Sequence, residues 1–451
     1  MYIFIVKPSM QTKREQSQMG MVLLPPLEAF IPEDHPIRRL NRVLDLSFIH
    51  EAVRGHYCQD NGRPSIDPEV IIRLFLIQAI EGIPHVRDLM RQVQVNMAYR
   101  WFIGYELDEE LPDHSTLSRA LDRFGDKVFN DLFEQSIARC KASGLIEGKI
   151  LHVDATTIRA DVSNERVGKA DSPDPDARFG RFPGGSIIPG YKQQTIVDNH
   201  KRVIVGLTVF PANKNEGERA IEVIDEAIER IGVKPEVVCA DGSYGSGGNK
   251  AALEERDIRL ISPPRTPYKR ANKEHFIIED FKYDEVRDEF ICPAGQRLTF
   301  IAEDKERPGS RRRYRCWSVI CKRCQLKDKC TKSPCRRLKV SADYAALLRL
   351  RSDSHSDSFK QYYRLRAPAV EGVFGEAKKW HSLGRAWRRG IFKMFVQSML
   401  IAAVINFKRL ASLFIDCLGL NWFIKSLLEA VWRRIANDAL IIPLQSENCA
   451  A

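Results

Sequence analysis

The chain has 451 residues, enough for two or three domains, and its 44% hydrophobic and 9% aromatic content suffices for packed cores. Its 70 Lys and Arg against 59 Asp and Glu give a net charge of +11, which favours an anionic partner such as nucleic acid but is equally consistent with solubility alone. Because no apolar stretch approaches the roughly 20 residues that cross a bilayer and the N-terminal apolar run is too short for a secretory signal, we expect no membrane association, a cytoplasmic location and no disulfide framework.

The N-terminal part of the chain has a helical pattern. We expect residues 1–20 to be dispensable and residues 21–148 to form an all-helical domain. Apolar residues recur at helical spacing over Pro36–Leu46 and over Asp67–Ile80, where an N-capping Asp precedes a Pro at the first helical position. Another helix is predicted to begin after Asp113. Since no catalytic cluster is evident here, we expect this domain to dock DNA or to mediate assembly.

Strand-like patterns begin in residues 149–262, which we interpret as the first part of an α/β core. The predicted strands are Ile150–Ile158, Tyr191–Val197, Arg202–Val209, Glu236–Cys239 and a strand at Leu260, and the predicted helices are Glu216–Ile231 and Asn249–Arg256. Residues 160–190, with several Pro and Gly, are predicted to form a surface loop. This order of elements resembles the ribonuclease H topology, a mixed sheet with flanking helices.

The second half of the chain interrupts this core and then completes it. In residues 263–357 the sheet pattern lapses into a basic, Cys-rich insertion. Helical periodicity returns in residues 358–415, which we expect to supply the final helices of the core. Residues 416–451 are predicted to contain one more amphipathic helix, Trp422–Ala436, and a tail.

Two aspartates are candidates for chemistry. Asp154 lies inside an apolar strand, where an ionised carboxylate is costly unless it is paired or bound to a cation. Asp241 ends another strand just before Gly242, and strand ends are where ligands bind in α/β sheets. If the two strands are neighbours, the carboxylates converge and a divalent cation relieves their repulsion. Taken singly, Asp154 is as readily a structural aspartate, and Asp241 more readily caps a turn.

A third carboxylate lies in a helical segment further along the chain. Arg364, Glu371 and Lys378 are seven residues apart and therefore fall on one helical stripe. Pro368 is expected in the first turn, which limits how far the helix extends back towards Arg364. Glu376 is a rival carboxylate, but its five-residue offset from Glu371 directs it elsewhere. Alone, Glu371 is best interpreted as a solvated glutamate, and only its combination with the two aspartates favours a metal ligand.

Several short segments, each weak alone, are specific in their order and spacing. They are Pro32-Glu33-Asp34-His35-Pro36, Pro112-Asp113-His114-Ser115-Thr116-Leu117, Val153-Asp154-Ala155-Thr156, Gly190-Tyr191-Lys192, Ala240-Asp241-Gly242-Ser243-Tyr244 and Val370-Glu371-Gly372-Val373-Phe374-Gly375. Through them the chain, from about Ile31 to Leu410, resembles the DDE transposases of bacterial insertion sequences, in the group with a Tyr, Arg, Glu, Lys signature around the last acidic residue.

One position departs from that signature, which has Arg four residues before the Glu and Tyr three residues before the Arg. Ala367 stands at the Arg position, with Tyr363, Arg364 and Arg366 nearby. Lys378 keeps the expected spacing from the Glu. The resemblance therefore assigns a DNA-binding role more firmly to Lys378 than to either arginine.

The resemblance implies a transposase that binds insertion-sequence ends and catalyses DNA cleavage and strand transfer. Asp154, Asp241 and Glu371 would hold two Mg²⁺ or Mn²⁺ ions about 3.5 to 4 Å apart. The implied partners are double-stranded DNA, both the terminal inverted repeats and the target, and a second copy of the chain, since two ends must be joined. The implied location is the bacterial nucleoid.

Further basic residues follow Lys378, which the resemblance places on a phosphate near the cleaved end. Arg385, Arg388 and Arg389 continue the basic run and are expected to contact backbone phosphates. A solvated helix end is an equally good interpretation of any one of them.

The insertion contains six of the eleven cysteines, between Cys292 and Cys335. Cys321 and Cys324 form a CxxC knuckle, and four thiolates can bind Zn²⁺ tetrahedrally. The predicted zinc ligands are Cys316, Cys321, Cys324 and Cys330. Cys292 or Cys335 is an alternative member of the set, and free thiols are the alternative to zinc.

Two other functions are compatible with the sequence. One is a ribonuclease H-like nuclease that cuts without strand transfer, and the other is a DNA-binding protein with a vestigial acidic site. The basic insertion and the helical N-terminal domain favour the transposase over the nuclease.

Overall fold

A computed structural model describes residues 25–57, 65–265, 275–304 and 311–413. The predicted helix Trp422–Ala436 and residues 1–20 lie outside these ranges. The helices are α1 (Pro36–Val43), α2 (Ile49–Val53), α3 (Pro68–Glu81), α4 (Val86–Val95), α5 (Met97–Ile103), α6 (His114–Phe124), α7 (Lys127–Ala142), α8 (Ala220–Ile231), α9 (Gly247–Glu255), α10 (Ser318–Lys322), α11 (Lys327–Cys330), α12 (Tyr344–Asp353), α13 (Asp357–Arg366), α14 (Gly372–Trp380) and α15 (Ile391–Leu413). The strands are β1 (Ile150–Arg159), β2 (Arg178–Arg181), β3 (Ile187–Asp198), β4 (Ile204–Pro211), β5 (Val237–Ala240), β6 (Arg259–Ile261), β7 (Lys282–Asp284), β8 (Glu289–Ile291), β9 (Arg297–Asp304), β10 (Arg311–Arg315) and β11 (Arg337–Ser341).

The N-terminal helices begin where their capping residues predict. Asp67 accepts a hydrogen bond from the Glu69 N–H at 2.7 Å at the start of α3. Asp113 accepts one from the Ser115 N–H at 2.8 Å at the start of α6. Each cap satisfies an N–H that the helix itself leaves without a partner. The predicted starts at Asp67 and Asp113 are therefore confirmed, whereas α1 is capped by His35.

The central sheet has β1 in its middle. β1 pairs antiparallel with β3 and parallel with β5, while β4 pairs with β3 and β6 with β5. The expected neighbourhood of the strands that carry Asp154 and Asp241 is confirmed. The predicted loop 160–190 is wrong in part, because β2 forms a short edge strand on β3. A Cβ atom at position 180 would lie 2.5 Å from the Cβ of Ala212, so β2 requires glycine there. In the sequence alone, this glycine favours a loop.

The sheet and the N-terminal helices share one hydrophobic core, which is continuous across the predicted domain limit at residues 148 and 149. Asn406 on α15 shows how closely they are joined. Its side chain accepts from the Ile204 N–H at 2.9 Å and donates to the Ser136 hydroxyl at 3.1 Å, which links β4 to α7. α15 is long and apolar enough to cross a membrane, yet 72% of its most apolar window is buried inside the protein. We therefore interpret it as a core helix.

The Cys-rich insertion has a sheet of its own, so the prediction that strand structure lapses there is wrong. Its five strands pair antiparallel in the order β11, β10, β9, β8, β7. Two of them have only three residues, and β10 reads Arg-Arg-Arg-Tyr-Arg with only Tyr314 buried. Strands this short and this charged give no apolar alternation to recognise. A separate small core forms around Phe290, Leu298 and Tyr314.

Candidate active site

Asp154 lies in the middle of the central strand. It faces Thr195 across the antiparallel pair with β3, and its side chain is 15% exposed. Its Oδ1 accepts a hydrogen bond from the Ala155 N–H at 2.9 Å. A carboxylate this buried needs further compensation, because its charge is largely removed from water.

Asp241 occupies the corresponding position on the neighbouring strand. Val153 pairs with Ala240 in the parallel ladder, so Asp154 and Asp241 come next on their two strands. Side chains at paired positions of parallel strands leave the sheet on the same side. Burial is the main cause that raises the pKa of Asp154, and the negative charge of Asp241 adds to it, as expected for neighbouring carboxylates. The structure therefore brings the first two predicted site residues together.

The turn after β5 holds Asp241 in place. Its Oδ1 accepts from the Ser243 N–H at 2.9 Å, and its carbonyl accepts from the Ser262 hydroxyl at 2.5 Å. A side chain at Gly245 would meet the carbonyl oxygen of Pro263 at 2.0 Å, so only glycine permits this approach of the two chains. Asp241 does cap its turn, as its simplest interpretation predicts, and it also faces Asp154.

Arg366 provides the positive charge in this pair. Its Nη1 lies 2.7 Å from Oδ2 of Asp154, and the guanidinium is only 13% exposed. Burial raises the pKa of Asp154 to about 6, although the charge of Arg366 lowers it. Burial likewise lowers the pKa of Arg366, but Asp154 outweighs it and the net shift is upward. The Arg366 guanidinium therefore compensates the negative charge of Asp154 and Asp241 only in part.

A π-helical turn, Ala367–Glu371, carries the chain from α13 to α14. The expectation that Pro368 limits the helix is wrong, because a π turn takes up the proline and the helical path continues back through α13. Such turns are rare and occur frequently at functional sites. The turn packs on β1 and β3 through Ala369 and Val370, which are buried. The prediction of one regular stripe through Arg364 is also wrong, and Arg366 is the arginine that reaches Asp154.

Glu371 ends the π turn with an exposed side chain. In the described ranges, no group of three or more His, Cys, Asp or Glu side chains is placed so that it could hold a metal ion. The structure thus joins Asp154 to Asp241 without bringing Glu371 into the same group. Its role as the third ligand stays a prediction.

The rival glutamate, Glu376, is engaged elsewhere. Its carboxylate lies 2.6 Å from Nζ of Lys408, contacts the Arg409 guanidinium and is 3.9 Å from the His381 ring. Burial raises the pKa of Glu376, but hydrogen bonds and the positive charges of Lys408 and Arg409 bring it well below its ordinary value. Lys378, on the same helix, is partly buried, and burial lowers its pKa.

Sequence reasoning missed the contribution of Tyr244 to this region. Its buried hydroxyl has no hydrogen-bond partner among the described residues. Burial, followed by the charges of Glu216, Asp154 and Asp241, raises its pKa. Glu216 itself pairs with Lys192 at 2.8 Å. The tyrosine lies three residues after Asp241, but nothing in its sequence distinguishes a site residue from a core residue.

The three arginines expected to contact DNA have different environments. Arg385 and Arg389 pair with Asp161 at 2.9 and 3.1 Å. Arg388 is largely buried, and burial lowers its pKa to about 10. The expected basic run is therefore a pair of surface arginines beside one inward-facing arginine.

Five cysteines of the insertion line one small cavity of about 30 Å³. They are Cys292, Cys316, Cys321, Cys324 and Cys330. Cys335 is buried in the core of the insertion and does not line the cavity. Burial, followed by the neighbouring Cys321, raises the pKa of Cys316 to about 12, and zinc requires thiolates. As placed, no three of these thiols could hold a metal ion, so zinc binding stays a prediction.

Two family models match the chain. Residues 25–123 match "Transposase domain (DUF772)", and residues 291–411 match "Transposase DDE domain". A DDE domain implies a ribonuclease H-like core, which the order of the central sheet fits. Both matched segments are transposase domains, and together they support an enzyme of the polynucleotidyl transferase class.

Solved transposase structures are also similar to the chain. A piggyBac transposase synaptic complex with hairpin DNA is 14% identical, covering 91% of this chain and 83% of that chain with a TM-score of 0.41. A Mos1 transposase paired-end complex with the left transposon end is 13% identical, covering 76% and 88% with a TM-score of 0.18. Superpositions this loose do not relate individual residues of two chains. No curated protein matches the sequence.

Proposed function

We propose that this transposase binds the ends of a DNA element and cleaves and joins phosphodiester bonds at Asp154 and Asp241, with Glu371 as the third carboxylate. The observation that carries the proposal is a pair of partly buried aspartates, Asp154 on β1 and Asp241 directly after β5, with a guanidinium against Asp154. Charge of one sign concentrated in a buried place is costly unless a cation compensates it. The pair is therefore suited to a divalent cation.

The residues present fit Mg²⁺ or Mn²⁺. Carboxylate oxygens are the ligands that these ions prefer, and Arg366 already places positive charge against Asp154. Asp154 and Asp241 would hold the cation, and Glu371 would join them after a movement of the π turn or its side chain. When bound, two such cations activate the attacking oxygen and stabilise the leaving oxygen of a phosphodiester.

Arg366 has a second task in this proposal, which is to hold Asp154 in place until the cation arrives. Tyr363 and Arg366 keep the three-residue Tyr-Arg spacing of the signature, and the Arg366 guanidinium lies 5.8 Å from the centre of the Tyr363 ring. One extra residue then separates Arg366 from Glu371. Because a π turn spaces hydrogen-bonded residues by five rather than four, it takes up that extra residue. We propose Arg366 as the signature arginine.

The proposed partners are the two DNA ends, the target DNA and a second copy of the chain. The matches to two transposase domains support DNA as the partner here.

The test uses the purified full chain and a plasmid that carries its gene with the flanking DNA. We expect Mg²⁺- or Mn²⁺-dependent cleavage at the ends of the element and joining of the freed 3′ ends to a target. Asp154→Asn abolishes both, whereas Asp225→Asn, at a surface ion pair on α8, changes neither. Cleavage without joining identifies a nuclease. Binding without any metal-dependent cleavage identifies a DNA-binding protein with a vestigial site.

A further inference from the structure

Two adjoining clefts run along the junction between the N-terminal helices and the far end of β1. The first, of about 610 Å³, lies between α4, α6 and the start of α15. The second, of about 400 Å³, lies beyond it, and the two share Asp161 and Arg389. Eight basic side chains line them against two aspartates, Asp88 and Asp161. We call these eight the basic track: Arg87, Arg91, Arg159, Arg166, Arg385, Arg388, Arg389 and Lys393.

Arg388 is the inward-facing member of the track. Its guanidinium has no acidic partner within ion-pair distance among the described residues. Its neighbours are Oε1 of Gln78 at 3.3 Å and the ring of Phe75, whose centre is 5.5 Å away. A cation that is largely buried without an anion is costly. The position therefore has a built-in affinity for a negative group that enters the cleft.

Two further features of the first cleft favour an anion. Trp387 is 8% exposed, and its indole N–H has no hydrogen-bond partner in the described part of the chain, whereas a buried tryptophan usually finds one. The N-terminus of α4 opens on the same cleft, and no side chain caps it. The first turn of a helix attracts negative charge. These donors add to the charge of Arg388.

Several other track residues form ion pairs, among them Arg166 with Asp171 at 2.7 Å and Lys393 with Asp122 at 2.9 Å. Arg385 and Arg389 share Asp161, and Arg91 lies 3.2 Å from Asp88. Ion pairs at exposed positions are weak, so a phosphate can replace their carboxylates. Among the described residues, Arg87 donates a hydrogen bond to a ring nitrogen of His114 at 3.1 Å and forms no ion pair. The track thus keeps an excess of positive charge over two connected clefts.

We propose that the basic track binds consecutive backbone phosphates of duplex DNA beside the acidic pair. This inference rests on the proposed function, since it names the surface that holds the DNA. Two connected clefts suit an extended polyanion better than a single small anion. Arg388, the Trp387 N–H and the α4 N-terminus would receive one phosphate, and the exposed arginines would receive its neighbours.

The position of the track along β1 sets its distance from Asp154. Five residues separate Asp154 from Arg159, and seven separate it from Asp161. At about 3.3 Å per residue the track begins roughly 16 to 23 Å from Asp154. At about 3.4 Å per base pair, the contacted phosphates lie roughly five to seven base pairs from the cleaved bond.

The experiment measures binding of the full chain to a duplex carrying one end of the element, over a series of salt concentrations. Arg87→Gln combined with Arg91→Gln removes two exposed charges one helical turn apart. Arg119→Gln on α6 is the matched control, because this exposed arginine hydrogen-bonds to Ser115 and does not line either cleft. We expect the double variant to bind at least about tenfold more weakly, with a salt slope flatter by about two, and the control to bind as the wild type.

Two further arms locate the contacts. Trp387→Phe keeps the packing but removes the N–H, and we expect it to weaken binding without changing the salt slope. Neutral methylphosphonates placed roughly five to seven base pairs from the cleavage point should weaken binding of the wild type, because the track begins at that distance from Asp154. Thermal unfolding confirms that each variant is folded.

The inference is overturned if the double variant binds like the wild type, or if Arg119→Gln weakens binding equally. It is also overturned if inorganic phosphate stabilises the wild type while the track variants bind DNA normally, since the clefts then hold a small anion. If the wild type cleaves DNA and all track variants bind and cleave as the wild type does, only this inference is wrong. A wild type that neither binds nor cleaves DNA sinks the proposed function.

Discussion

Asp154 and Glu376 are two carboxylates of equal burial with opposite electrostatics. Both side chains are 15% exposed, yet the pKa of Asp154 is raised and that of Glu376 is lowered. Asp154 has one guanidinium and a neighbouring aspartate, whereas Glu376 has Lys408, Arg409 and the His381 ring. Burial raises both pKa values, and it prevails at Asp154, whereas at Glu376 the hydrogen bonds and the charges of Lys408 and Arg409 outweigh it.

The negative charge of Asp154 is incompletely compensated by neighbouring cations, whereas that of Glu376 is fully compensated. An incompletely compensated pair gains from a divalent cation, which is the property of a catalytic metal site. A fully compensated one gains nothing and serves to join α14 to α15. Burial alone therefore does not identify an active site.

The largest effect is expected at the aspartate pair. Asp154→Asn and Asp241→Asn should each lower the DNA cleavage rate at least about 10³-fold, because removing a single electrostatic contact to the transition state already costs roughly 10²- to 10³-fold. The measurement is single-turnover cleavage with Mg²⁺ or Mn²⁺. Cleavage at the wild-type rate by either variant would place the metal site elsewhere.

A large effect of another kind is expected at Glu376. Glu376→Gln should lower the free energy of unfolding by about 3 kcal/mol, the lower end of the range for a broken buried ion pair, since Lys408 is 40% exposed. Glu371→Gln should leave stability unchanged, because that side chain is exposed, and abolish cleavage. Denaturant unfolding of both variants, with cleavage assays alongside, checks the assignment. The reverse pattern would exchange the roles of the two glutamates.

A smaller effect is expected at Arg366. Removing its charge with Arg366→Gln leaves the two aspartates without a cation, so half-saturation of cleavage by Mn²⁺ should occur at an Mn²⁺ concentration lower by about tenfold, the equivalent of 1.4 kcal/mol for a charged hydrogen bond. Arg364→Gln, at an exposed position of the same helix, is the control. An unchanged Mn²⁺ requirement in Arg366→Gln would mean that the guanidinium does not compete with the metal.

The smallest expected effect is on the pH dependence of the free energy of unfolding. Because the folded pKa of Glu376 is depressed below its ordinary value of 4.5, its contribution to stability is fully present above that pH and is lost as the pH falls towards the folded pKa. The wild type should lose about 1.4 kcal/mol per pH unit below 4.5 from this group, and Glu376→Gln should lack that part of the dependence. Unfolding curves between neutral and acidic pH measure it. Identical slopes for the two proteins would contradict the assignment.

Much of the central sheet could be predicted from the sequence. β1, β3, β4 and β5 are rich in apolar residues, and Asp154 and Asp241 are conspicuous within and after such strands. Their pairing follows from the order of the elements. The short, charged strands of the insertion and the edge strand β2 were not predicted. Their sequences have no periodic pattern of apolar residues.

The geometry around Arg366 could not be predicted in the same way. A proline in a helical segment indicates a start or a break, and Pro368 instead lies in a π turn that shifts the register by one residue. That shift selects Arg366 over Arg364 as the partner of Asp154. The satisfied state of Glu376 likewise depends on Lys408 and Arg409, more than thirty residues away in sequence.

Anomalous diffraction from crystals of the DNA-bound enzyme soaked in Mn²⁺ tests the central claim most directly. The expected result is a manganese peak between the carboxylates of Asp154 and Asp241, with the Arg366 guanidinium displaced from Asp154. Manganese bound only elsewhere, with the ion pair of Arg366 and Asp154 intact, would contradict it.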